Sequence, residues 1–253
     1  MSQANDHYVI HPTYTRDSLR KMFGTVNEMY TSQPVAVFQA RNNVNLTDAI
    51  NLAAELPEGA FLAGGFFKSL VRGTPAEDYD VFFTSSHAVL SLVNRIQQAP
   101  ADSFLFGYIA QKSIRTFQNS PDRTLVFTHP SKPPINLIRI RWFDNPIDAI
   151  DKVDLRLCRV ALDSQLNIHI HPETLRDIRE SKVRLMNVAL PISTGIRLKK
   201  LLEDNWSWAS SDWSQSEGTA LIKNADKQIK KAIKSGTNNL LQLHGFEIPE
   251  ENR

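Results

Sequence analysis

Apolar side chains recur at two periods along the chain, and each period predicts its own kind of element. Leu19, Met22, Phe23 and Val26 fall at helical spacing behind a cap at Asp17 or Ser18, so a first helix is expected there. Leu46, Ile50, Leu52, Ala53 and Leu56 repeat that spacing up to a Pro-Glu-Gly stop and mark a second helix. Residues 60–64 then read as a short apolar strand, 65–71 as the start of a helix, and 79–85, with aromatic and branched side chains, as another strand. An amphipathic helix follows over 86–99, between a serine cap and a proline stop. Three β-rich runs, 124–129, 135–143 and 153–163, come next, separated by Pro, Asp and Asn clusters.

From Pro172 the spacing turns helical throughout, predicting helices within 171–181, 192–206 and 217–236. The fold class expected is therefore α/β in the α+β sense, a mixed sheet with flanking helices followed by a small helical domain. The change of pattern falls near 172–185, so an α/β domain is placed at 1–178 and a small helical domain at 179–253.

Composition narrows the class. Apolar residues make up 42% and charged residues 22% of the 253 positions, an ordinary balance for a chain with a sizeable core and far from that of a disordered one. No apolar run approaches the ~20 residues of a membrane span, and the first twenty residues lack the pattern of a secretory signal. The single cysteine, Cys158, forms no internal disulfide and no cysteine zinc site, which fits a reducing, cytoplasmic setting. The net charge of +2 is small, yet residues 182–234 carry ten Lys or Arg against five acids, a local pointer to a polyanionic partner.

The densest chemistry lies in residues 61–83, "FLAGGFFKSLVRGTPAEDYDVFF". Gly64 and Gly65, at a strand-to-helix junction, allow close approach of a ligand to the backbone, and amides at such a junction favour phosphate oxygens. Asp78 and Asp80 lie two apart on a strand, so both carboxylates leave the same face and suit a hard divalent cation. Two bland readings stand beside these: a tight turn, and a solvated strand end.

Gly-Gly, a basic residue three positions on, and Asp-x-Asp thirteen positions after the second glycine together resemble the core signature of the DNA polymerase beta-like nucleotidyltransferase superfamily. The likeness is to the head domain of tRNA nucleotidyltransferases and poly(A) polymerases. It implies that Asp78 and Asp80 hold Mg2+ or Mn2+ and that Gly64, Gly65 and Lys68 hold the phosphates of a nucleoside triphosphate. Lys68 stands where the tRNA enzymes usually have arginine, and it lacks the bidentate fork of that residue. The resemblance also implies a third carboxylate for two-metal catalysis. Asp154, at the start of the run 153–163, is the candidate, ahead of Asp151 and Asp163.

On a continuous strand Asp154, Arg156 and Cys158 would share a face, which puts Arg156 either at the nucleotide or in an ordinary salt bridge. The segment 171–206 resembles the closing helix and neck of compact bacterial and phage nucleotidyltransferase-like proteins, with Arg197 and Lys200 matching an Arg-x-x-Lys motif that would face the nucleotide. Trp206, Trp208 and Trp213 read either as base-stacking groups or as packing anchors, the latter more often. Lys223, Lys227, Lys230, Lys231 and Lys234 form one helix face, either an RNA contact or a solvated surface. His169 and His171 share a strand face and read as a surface pair rather than a metal site.

The activity expected is template-independent transfer of a nucleotide from a nucleoside triphosphate to a hydroxyl, with an RNA, above all a tRNA 3′ end, as acceptor. The alternatives are nucleotidylation of a protein and an inert RNA-binding or assembly module on the same fold. The sequence names no oligomeric state.

Overall fold

The computed structural model describes residues 30–111, 124–209 and 213–234. In chain order the elements are β1 (Thr31–Pro34), α1 (Val35–Asn42), α2 (Thr47–Ala54), β2 (Ala60–Ala63), α3 (Phe66–Val71), β3 (Tyr79–Phe83), α4 (Ser86–Gln97), β4 (Ile109–Ala110), β5 (Thr124–Thr128) and β6 (Ile135–Ile138). There follow α5 (Pro146–Asp151), a 3-10 turn (Arg156–Cys158), β7 (Val160–Asp163), β8 (Asn167–Ile170), α6 (Thr174–Arg179), β9 (Lys182–Val183), α7 (Pro191–Glu203), β10 (Ser207–Trp208) and α8 (Gln215–Lys234).

Eight strands form one mixed sheet in the order β1-β8-β7-β2-β3-β6-β5-β4, in which β3 and β6 run parallel and the other neighbours antiparallel. The mixed α/β class expected from the pattern is what the chain adopts. Alternation along β3 buries Tyr79, Val81 and Phe83 and turns Asp80 and Phe82 to the opposite face. On the first face an extensive apolar cluster joins Leu62, Val81, Leu125, Ile135, Leu137 and Leu162 to the helices. In α4 the buried positions Ala88, Val89, Leu92, Val93 and Ile96 make one stripe, and its Ser85 cap accepts the Ala88 N–H at 3.3 Å. The opposite face carries a smaller cluster of Phe61, Ala63, Phe143, Ala149, Ile150 and Ala161, with α5 laid over it. That cluster covers only part of the face, and the remainder holds the polar site.

The structure corrects several expectations. The run 153–163 is not one strand: it bends through the 3-10 turn at Arg156–Cys158 before β7 begins at Val160. The run 135–143 pairs only as far as Ile138, and its end leaves the sheet to seat Phe143 in the smaller cluster. Beyond Pro172 the three expected helices are present as α6, α7 and α8, but β9 and β10 pair in parallel between them, so the region is not purely helical. The pattern of apolar positions does not announce β1, α1 or β4, which are short and take their places from tertiary contacts. The helix expected around Leu19–Val26 lies outside the described residues. Ile178, Val183, Leu185, Leu198, Trp206, Trp213 and Leu221 belong to the same apolar cluster as Leu62 and Val81, so packing is continuous across the expected 178/179 boundary. Close packing of α7 on α8 needs Gly195, where a Cβ would sit 2.5 Å from the Leu221 carbonyl oxygen. Among the described residues no helix is long and apolar enough to cross a membrane.

Candidate active site

Antiparallel pairing brings the end of β2 beside the start of β3, and the start of β7 beside the end of β2. Gly64, Asp78, Asp80 and the turn before β7 therefore meet at one end of the sheet. Gly64 has φ +97°, a left-handed conformation that side-chain-bearing residues adopt at a cost, and a Cβ there would point to within 3.7 Å of Asp80 Oδ2. Gly65 starts α3 with open space where its side chain would be. The glycine pair thus keeps bulk away from the carboxylates.

Asp78 immediately precedes β3 and Asp80 lies within it. Parallel β6 sets Asn136 in register with Asp80 on the same face, and Asn136 Nδ2 donates to Asp78 Oδ2 and to Asp80 Oδ1, each at 2.9 Å. Burial is the main force on both carboxyls. It raises Asp78, with Glu77 adding to the effect, and it combines with the Asp78 charge to push Asp80 up to about 7. The pair is short of positive charge in spite of the amide.

Three cations surround it. Lys68 Nζ from α3 and Lys200 Nζ from α7 both reach Glu77, at 3.7 and 2.6 Å, and the bond from Lys200 holds the Glu77 carboxyl below its ordinary value. Both lysines also act on Asp78 through space. Arg197, one turn before Lys200, pairs with Asp154, and its charge reaches Asp80. Burial works against the Arg197 charge, but Asp154 outweighs it and holds the guanidinium above its ordinary value.

Asp154 is 6% exposed, and its Oδ2 accepts both the Arg197 guanidinium and the Thr194 hydroxyl, the latter at 2.5 Å. Its backbone is held by the Met186 N–H at 2.7 Å. The approach to it is fixed by Arg159, itself 1% exposed, which donates to the carbonyls of Val153 at 3.2 Å and Asp151 at 3.0 Å. Burial, with the Asp154 charge adding to it, pushes the Cys158 thiol up to about 12, the state of a packed rather than a nucleophilic cysteine.

Of the residues singled out from sequence, Gly64, Gly65, Lys68, Asp78, Asp80, Asp154, Arg197 and Lys200 gather here. Arg156 does not. The 3-10 turn ends the shared face expected of 154, 156 and 158, and Arg156 instead makes a bidentate pair with Asp177 at 2.6 and 2.8 Å. Asp177 is fully buried and also accepts from Arg184 at 3.2 Å. Asn136, Glu77 and Thr194 are members that the sequence reading missed. Asn136 does break the apolar alternation of β6, but only the β3–β6 register reveals what it faces.

Among the other candidates, the tryptophans resolve as packing. Trp206 and Trp213 are 3% and 1% exposed, Arg72 lies over the Trp206 ring at 5.1 Å, and Trp208 packs against Gly218. Lys223, Lys227, Lys230 and Lys231 are exposed on α8. The histidines are no surface pair: His169 bonds Asp163 at 2.9 Å and Ser32 at 2.8 Å, whereas His171 is 7% exposed and accepts the Glu173 N–H at 3.1 Å.

Residues 35–181, more than half of the chain, match the family described as "Gabija anti-defense 2 family protein". No curated protein matches the chain. Solved structures similar to it include a CCA-adding enzyme with ATP (12% identity, TM-score 0.49, covering 83% of this chain and 48% of that one). Others are the Thermotoga maritima CCA-adding enzyme complexed with tRNA (12%, TM-score 0.48, 79% and 47%) and the Bacillus stearothermophilus CCA-adding enzyme with CTP (15%, TM-score 0.47, 78% and 48%). The chain spans about half the length of these enzymes.

Proposed function

The chain belongs to the Gabija anti-defense 2 family, and from that premise and the site just described we propose that it is a nucleotidyltransferase acting in an anti-defense role. The observation that carries the reading is the Asp78–Asp80 pair: two partly buried carboxylates on one face, both shifted upward, beside an open glycine turn and within reach of Lys68, Arg197 and Lys200. An all-oxygen, charge-deficient donor set of this kind fits Mg2+ or Mn2+. When bound, the cation would polarise the α-phosphate and offset the charge that develops on transfer.

The chain's own residues do the rest. Gly64 and Gly65 leave room for phosphates against the backbone. Lys68 and Lys200, now shared with Glu77, move onto the β- and γ-phosphates, while Arg197 faces the α-phosphate beside Asp80. An acceptor hydroxyl gives up its proton to water as its oxygen forms the new bond to the α-phosphorus, the bond from that phosphorus to the bridging oxygen breaks, and pyrophosphate leaves with that electron pair. Fixed cations aimed at developing charge need no reorganisation at the moment of reaction.

RNA, with a tRNA 3′ end as the first substrate to try, is supported as acceptor by the exposed lysines of α8. Protein nucleotidylation is a second reading. The burial of Trp206 and Trp213 favours it, because it takes those rings away from base stacking. Incubation with α-labelled nucleoside triphosphates, magnesium and either tRNA or host extract separates them. Label lost on nuclease digestion means RNA, and label surviving it but lost to protease means protein. Absence of any transfer that depends on Asp78 and Asp80 would leave the inert module.

A further inference from the structure

We infer that this centre takes one divalent cation rather than two, that Arg197 supplies the positive charge on the side facing Asp154, and that Asp154 is the positioning residue that holds it there. The inference rests on the nucleotidyl-transfer reading above and concerns how that site is charged.

Three observations carry it. The residue that β6 places against Asp80 is an amide: Asn136 stands in register with Asp80 and gives one N–H to each aspartate. Asn136 therefore adds no negative charge to the pair. A second dication would have only the same two carboxylates to share, and two dications held close together need more anionic ligands than that.

The second observation is that Asp154, the acid available on the β7 side, is already committed. One of its oxygens accepts both the buried Thr194 hydroxyl and the Arg197 guanidinium, and the Met186 N–H pins its backbone. A dication on its other oxygen would stand beside the Arg197 guanidinium held by the same carboxylate, cation against cation. Third, the Arg197 side chain as a whole is 48% exposed although its partner is only 7% exposed, while burial weighs on the guanidinium itself and Asp154 keeps it charged. The guanidinium acts on Asp80 through space. A planar, permanently charged group held from behind suits a phosphate better than a mobile lysine would.

The test counts cations directly. Native mass spectrometry of the full chain with a non-hydrolysable α,β-methylene nucleoside triphosphate and Mn2+ is expected to show one Mn2+ per nucleotide complex. Asp154→Asn should keep that one Mn2+ and weaken nucleotide binding about tenfold by calorimetry, whereas Asn136→Asp should admit a second ion. Circular dichroism establishes that each variant is folded, and Arg197→Lys, which keeps the positive charge but not the planar fork, gives an independent readout: one Mn2+ and weaker nucleotide. Two Mn2+ ions in the unaltered chain would overturn the inference and leave nucleotidyl transfer standing. Loss of Mn2+ in Asp154→Asn would make Asp154 a metal ligand and overturn it as well, and Asn136→Asp holding at one ion would refute the role given to the amide. Failure of the unaltered chain to bind Mn2+ or nucleotide would defeat the nucleotidyltransferase reading itself, and this inference with it.

Discussion

Two aspartate–arginine pairs grow from neighbouring positions of the chain and come to opposite ends. Arg156 meets Asp177 in a sealed setting, with side chains 12% and 0% exposed, while Asp154, two residues earlier, meets Arg197 at a site where the arginine is 48% exposed. Both contacts are charge-assisted. In the sealed pair both oxygens of the fully buried carboxylate are used, Oδ2 by Arg156 and Oδ1 by Arg156 and Arg184, so the contact ties the 3-10 turn, α6 and the strand end after β9 together. In the open pair the buried partner is the acid, and the cation is offered to the cleft beside Asp80. What separates a structural ion pair from a functional one here is which partner keeps its exposure.

That contrast can be broken experimentally, beginning with its sealed half. Asp177→Ala strands Arg156 and Arg184 in a buried setting and is expected to cost about 3–5 kcal/mol in urea unfolding. Nucleotide transfer per folded molecule should be unchanged, and a loss of under 1 kcal/mol would mean that the sealed pair is not a staple. Asp80→Asn should do the reverse, lowering transfer on the order of 10³-fold, or about 4 kcal/mol. Because it also removes a like charge that burial opposes, the melting temperature at pH 8 should equal or exceed that of the unaltered protein.

Acid probes the sealed region a second way. His171 borders it, and burial together with Arg156 and Arg159, opposed by Glu173 and Asp177, holds its pKa down to about 4. The unfolded chain takes up that proton near 6.5, so between pH 6.5 and 4 the unfolded state binds more protons and stability falls with falling pH. The loss should be about 2–3 kcal/mol. In His171→Gln that part of the pH profile should be flat, and a profile with the same slope as the unaltered protein would assign it to other groups.

Arg197→Ala, on the open side, should cut transfer about 10- to 100-fold, or about 1.4–2.7 kcal/mol, without moving the Mn2+ count. The smallest effect expected is at α8: Lys227→Glu, on an exposed face, should change stability by less than about 0.5 kcal/mol. It would weaken RNA binding measurably only if RNA is the acceptor, by lowering the salt slope of binding.

The spacing from Gly64–Gly65 to Asp78–Asp80 was legible in the sequence because β2, α3 and β3 are contiguous, and local periodicity fixes which face each side chain takes. Arg197 and Lys200 were legible for a related reason: one helical turn brings them to the same side of α7. For Arg156 the sequence left the nucleotide and an ordinary salt bridge both open, because a period-2 argument requires a continuous strand, and nothing in "VDLRLCRVALD" announces that backbone bonding across to residues 184–186 and a 3-10 turn will interrupt it. Asn136 and Thr194 were invisible, since each matters only through a partner 40 or more residues away.

By itself, then, the sequence determined the paired carboxylates, the glycines and the basic helix, all of them consequences of local geometry. Which acid touches which cation, and whether a third carboxylate or an amide stands beside Asp80, was decided only by strand order and register. Those are settled by burying one face of the sheet as a whole, an energy that no short stretch of residues contains.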